Sequence, residues 1–171
     1  MINHRVEKMI MSDANLQTVE ELIQRIENEL GTTFSWSLFL AQVAYLRCKP
    51  IRIEEVSLPL HITGACFSFE DMDVIVVRAG LNTQRSLMTR LHECAHLLLG
   101  HAPHMPILYA TFISQPTSTI PLYRTSAYDP PYEFVAETLA TMLFARIHRW
   151  QETQAERVVQ TLIDTWESVK N

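Results

Sequence analysis

Apolar residues change their spacing twice along this 171-residue chain, and that succession restricts the possible folds more than any other feature. Over 16–30, Leu16, Val19, Leu22, Ile23, Ile26 and Leu30 recur at helical spacing, with Glu20, Glu21, Arg25 and Glu27 between them. Asp13 or Asn15 can cap this helix and Gly31 can end it. A second, more apolar helix is expected over 35–47, stopped by Pro50. The period then drops to two. Residues 51–56 read as a strand, 65–69 as a second and 74–77 as a third, with Asp71-Met72-Asp73 turning the last two into a hairpin. Helical spacing returns after Gly80, with Asn82 or Thr83 as cap, and runs to Leu99, where Gly100 can close it. Residues 101–130 carry five of the eight prolines and read as one long irregular connection, of the kind that is functional or mobile. Two further helices are expected, over 131–148 and 153–169, the last amphipathic through Val158, Val159, Leu162, Ile163 and Trp166. Helices flanking a run of strands define an α+β fold, with a small antiparallel or mixed sheet packed on helices. The length suits a single domain over 1–171, with 1–14 as a loose lead-in.

Composition narrows the function. Apolar residues are 47% of the chain and charged residues 19%, which excludes intrinsic disorder. The net charge of −5 disfavours a protein built to grip phosphate backbones, so no direct nucleic-acid binding is expected. No apolar run is long enough to span a bilayer, and Met1-Ile2-Asn3-His4-Arg5 is too polar to open a signal peptide. A soluble, cytoplasmic protein is expected. Cys48, Cys66 and Cys94 form neither a close pair nor a metal knuckle, and read as three small buried hydrophobes.

The chemistry concentrates at Leu91-His92-Glu93-Cys94-Ala95-His96-Leu97. Residues four apart on a helix lie one above the other, so His92 and His96 can aim two imidazoles at one ion. Zinc takes neutral imidazole nitrogen at about 2.0–2.1 Å, and a catalytic zinc keeps one of its four positions for water. Glu93, next to the first histidine, is placed to take a proton from that water and deliver it to a leaving group.

A third donor is required. Glu133 and Glu137 are also four apart, on an otherwise apolar helix through Phe134, Val135, Leu139, Met142, Leu143 and Phe144. Two acids turned inward there are costly to bury without a cation. His101 and His104 are rivals, although the extended pattern with a third histidine from the same segment is not met, because Leu99 and Ala102 stand where it needs glycine and histidine. Two histidines and one carboxylate also suit non-haem iron.

Over about residues 49–147 the chain resembles the ImmA/IrrE metallopeptidases. The resemblance rests on Lys49-Pro50-Ile51-Arg52-Ile53, on Asp73-Val74-Ile75-Val76-Val77, on the stretch His92 to His101, and on Glu133, Ala136, Glu137, Leu139, Ala140 and Leu143. Val135 stands where the family commonly has an acid, and Leu143-Phe144-Ala145-Arg146 lacks a closing proline. The resemblance implies a zincin-like fold and a zinc held by His92, His96 and a glutamate of the second helix, with Glu93 as general base. Its register favours Glu133 as ligand. Glu137, one turn on, is then the alternative ligand or the acceptor that orients a ligating imidazole. It also implies a protein substrate, a helix-turn-helix transcriptional repressor, in stress-response or mobile-element regulation.

The leading expectation is therefore a zinc-dependent endopeptidase. The alternative is a regulatory or binding module that keeps the fold and cleaves nothing, against which the intact Glu93 speaks. Tyr128, Tyr132 and His101 are candidates to steady the oxyanion. The third strand is a candidate edge for an extended substrate to pair with.

Overall fold

The computed structural model of the chain describes residues 13–31, 34–114 and 130–169. Most of the expected lead-in lies outside these residues, as do the side chains of the candidate caps Asp13 and Asn15. The first helix, α1 (Asp13–Leu30), ends where Gly31 turns left-handed at φ 65°. Helix α2 (Trp36–Arg47) ends on Cys48, also left-handed at φ 53°; the Cys48 N–H closes onto the Tyr45 carbonyl and the Lys49 N–H onto that of Ala44. That corner corrects one expectation. Cys48 is exposed, because the residue that reverses the chain ahead of Pro50 sits outside the core, whereas Cys66 and Cys94 are buried.

Three six-residue strands follow, β1 (Ile51–Val56), β2 (Gly64–Phe69) and β3 (Asp73–Arg78), then α3 (Thr83–Leu98), capped by the Asn82 side chain accepting from the Arg85 N–H at 2.9 Å. The expected hairpin is present: β2 and β3 pair antiparallel, with Cys66 opposite Ile75. β1 lies parallel to β3 on its other side, so β3 stands between β1 and β2 and the sheet is mixed. β3 is thus an interior strand with both edges paired. The expectation that it offers a free edge fails, because the β1 crossover places a parallel neighbour on the side that a hairpin alone would leave open.

Part of the stretch expected to be irregular has structure. β4 (His104–Met105) pairs with the end of β2, and α4 (Tyr109–Ile113) covers one face of the sheet. The remainder, 115–129, lies outside the described residues. Both faces of β2 and β3 are covered, which is why these strands read as apolar runs. Phe67, Phe69, Val74 and Val76 meet Tyr109 and Phe112 on one side. Cys66, Ile75 and Val77 meet α1, α2, α3 and the last helix on the other. Arg47 pins α2 to the sheet through buried Asp73 at 2.8 Å.

The two helices expected at the C-terminal end are one, α5 (Pro130–Val169), 40 residues long. No proline or glycine separates 148 from 153, so nothing interrupts the hydrogen-bond ladder. No helix among the described residues is long and apolar enough to cross a membrane.

Candidate metal centre

Two helices build the site. α3 packs against the first half of α5 through Leu91, Cys94 and Ala95 on one side and Val135, Ala136, Leu139 and Ala140 on the other. This contact turns His92 and His96 toward the first two turns of α5, where Glu133 and Glu137 stand. Nε2 of His92 lies 3.0 Å from Nε2 of His96. One Glu133 oxygen is 3.3 Å from the first of these nitrogens, and its other oxygen is 3.3 Å from the second. Two ligand atoms on a tetrahedral zinc, each about 2.0–2.1 Å from the ion, are separated by about 3.3 Å. Each imidazole nitrogen meets a Glu133 oxygen at that spacing, the two nitrogens stand slightly closer, and one ligand atom from each residue lies within 4.8 Å of the others, so the residues present fit the ion. Among the described residues these three form the group able to hold a metal.

Glu137 takes a different place. Its Oε2 is 2.9 Å from Nδ1 of His92. A carboxylate there accepts the Nδ1 proton, which leaves the Nε2 lone pair of His92 free toward the ion. The site opens on one side: the His96 side chain is fully buried and that of Glu137 is 59% exposed. A cleft of about 280 Å³ adjoins it, lined by Thr63, Arg85, Met88, Thr89, His92 and Glu137.

The remaining candidates separate clearly. The His101 ring lies 5.4 Å from that of His96 and 4.5 Å from that of Tyr132, so both sit at the rim without joining the donor group. His104 is carried on β4, exposed and outside the group. Tyr128 lies outside the described residues.

Burial shapes the protonation of the site. It pushes the Glu93 carboxyl up to about 7, with Glu133 adding to the rise and His92 and a hydrogen bond from Cys66 opposing it. It pulls His96 down to about 3, helped by His92 and His101, so this ring is neutral and its lone pair is available near pH 7. A carboxyl that gains and loses its proton near neutrality can serve as base and then as acid. Oε2 of Glu93 is buried and has no hydrogen-bond partner among the described residues.

Two contributors escape sequence reasoning. Cys66 and Gly64 lie about 30 residues upstream of the motif on β2, and both approach Glu93. Only the pairing of β2 with β3 under α3 brings them there, and no local spacing announces it. Comparison with family models, with curated proteins and with solved structures returned no match.

Proposed function

We propose that this chain is a zinc-dependent endopeptidase of the zincin-like kind, with His92, His96 and Glu133 as the metal ligands and Glu93 as general base. The observation that carries the reading is the convergence of two imidazole nitrogens, 3.0 Å apart, on the Glu133 carboxylate, each 3.3 Å from one of its oxygens, beside the buried Glu93 carboxyl. The motif residues shared with ImmA/IrrE metallopeptidases support it as well. They also suggest the substrate, a helix-turn-helix repressor protein.

Zinc, when bound, would polarise the scissile carbonyl and acidify the attacking water. The chain's own residues do the rest. Glu137 holds the His92 proton on Nδ1. Glu93 receives the water proton on Oε2 and returns it to the leaving amine, which completes hydrolysis with no net change in the protein. The cleft lined by Arg85 and Thr89 offers an approach for a peptide to the open side of the site.

The test is Glu93→Gln. The amide keeps the shape and cannot take the proton. The variant should retain about one zinc per chain and melt no lower than the wild type while losing cleavage of a helix-turn-helix repressor that the wild type cuts. Cleavage at the wild-type rate would overturn the role of Glu93. A wild-type protein that takes up no zinc on titration would overturn the metal reading.

A further inference from the structure

The sheet passes close to the Glu93 carboxyl. Gly64 opens β2 opposite Val77. A Cβ placed on it would lie 2.5 Å from Cγ2 of Thr89, 3.0 Å from Oε1 of Glu93 and 3.0 Å from the Val76 carbonyl oxygen. Any side chain at position 64 would therefore displace Thr89, the Glu93 carboxyl or both. Two residues along, on the same face of the strand, Cys66 is fully buried and its thiol hydrogen-bonds the Glu93 carboxyl. Glu93 itself is 5% exposed, and among the described residues its Oε2 has no hydrogen-bond partner. The carboxyl is thus gripped from the strand at one place and presented at another.

We propose that β2 supplies the positioning residues for Glu93: Cys66 orients the carboxyl through its S–H donor, and Gly64 leaves the gap in which that carboxyl lies, so that Oε2 faces the reacting water. The proposal rests on the reading of Glu93 as general base. It also gives a buried cysteine, which spacing alone assigns to packing, a directional task. Packing alone needs only volume, so alanine and serine at position 66 would behave alike. A positioning thiol is replaced by a hydroxyl and not by a methyl group.

One test needs no substrate. In the reduced, metal-free protein, the infrared difference between wild type and Cys66→Ala isolates the S–H stretch of Cys66. Repeated in a Glu93→Ala background, that band should move to the frequency of an unbonded thiol. A band at the same frequency in both backgrounds overturns the contact. A second test uses a peptide that the wild type cuts. Cys66→Ala should lower kcat about tenfold, the scale on which one hydrogen bond acts in a rate, with KM and zinc content unchanged. Cys66→Ser should restore most of the loss. Equal kcat for wild type and Cys66→Ala overturns the proposal while leaving the peptidase reading intact. A shifted band in a protein that cuts nothing has the opposite meaning: the contact stands and the peptidase reading falls. For Gly64, alanine alone risks the fold through the Thr89 methyl. Thr89→Ser removes that methyl, so Gly64→Ala combined with Thr89→Ser leaves the Glu93 contact as the principal side-chain conflict. The pair should lose kcat relative to Thr89→Ser, and equal rates would remove Gly64 from the account.

Discussion

The two halves of α5 share one uninterrupted ladder and differ in almost everything else. From 132 to 150 the helix buries Val135, Ala136, Leu139, Ala140, Leu143 and Ile147 against α3 and α1, and carries Glu133 and Glu137 to the histidines. From 151 onward its apolar stripe stays in solvent: Val158 is 60% exposed, Leu162 64% and Ile163 45%. Polar contacts within the helix accompany that second half, such as Gln160 to Asp164 at 2.8 Å and the Thr161 hydroxyl to the Arg157 carbonyl at 2.8 Å. The amphipathic pattern is equally clear in both halves. It tells which side of a helix will be covered when something covers it, and not whether the fold brings a neighbour. The two halves therefore respond differently to substitution.

The largest effect should fall on the ligand turn. Glu133→Ala should remove most of the zinc affinity, measured by titration with a competing chelator, while any substitution at Leu162 leaves affinity unchanged. Full zinc retention by Glu133→Ala would shift the ligand role one turn along, to Glu137.

Next comes the core of the first half. Leu139→Ala should cost about 2–5 kcal/mol of stability in urea unfolding, because Leu139 is fully buried and its neighbours cannot close the cavity. A loss under 1 kcal/mol would mean that the α3–α5 contact yields to fill the space.

The α3 side of the same contact carries a pH signature. Burial lifts the Glu93 carboxyl from 4.5 to about 7, so in the metal-free protein the folded state holds a proton that the unfolded state has released. Stability on this account is fully present below about 4.5 and falls as the pH rises through about 7. Glu93→Gln lacks the fall and should gain about 3 kcal/mol on the wild type above the raised value of about 7. Urea melts of both proteins at acid and at mildly alkaline pH decide this. Curves that stay parallel would show that the carboxyl is solvated.

Smaller still is Glu137→Ala, which should weaken zinc by about 10–100-fold through loss of the partner that orients His92. An affinity equal to wild type would leave Glu137 as a surface acid. The smallest effect belongs to the outer half: Leu162→Ala should change stability by no more than about 0.5 kcal/mol. A loss comparable to that of Leu139→Ala would show that the stripe is covered in solution and would erase the difference between the halves.

Short-range physics explains what could be read in advance. The spans of α1, α2 and α3, the β2–β3 hairpin and the glycines at 31 and 100 follow from periodicity and backbone preference within a few residues. The misreadings share one cause. A break was expected in α5 where no residue forces one. β3 was expected at an edge because a hairpin says nothing about a third strand. Cys48 was expected inside because composition ignores the turn that exposes it.

The candidate centre divides along the same line. Four-residue spacing on a helix is a local geometry, so the sequence by itself determined that His92 and His96 share a face with Glu93 beside them. The same spacing determined that Glu133 and Glu137 share a face of their own. Which acid meets the imidazole nitrogens that converge and which meets Nδ1 of His92 depends on the rotation and offset between α3 and α5, and only their packing decided it. The approach of Gly64 and Cys66 to Glu93 likewise depends on where the sheet lies beneath α3. These contacts join residues far apart in the chain, and their positions are set by the burial of apolar faces, a force without direction that acts on whole elements and leaves no mark in the spacing of any one of them.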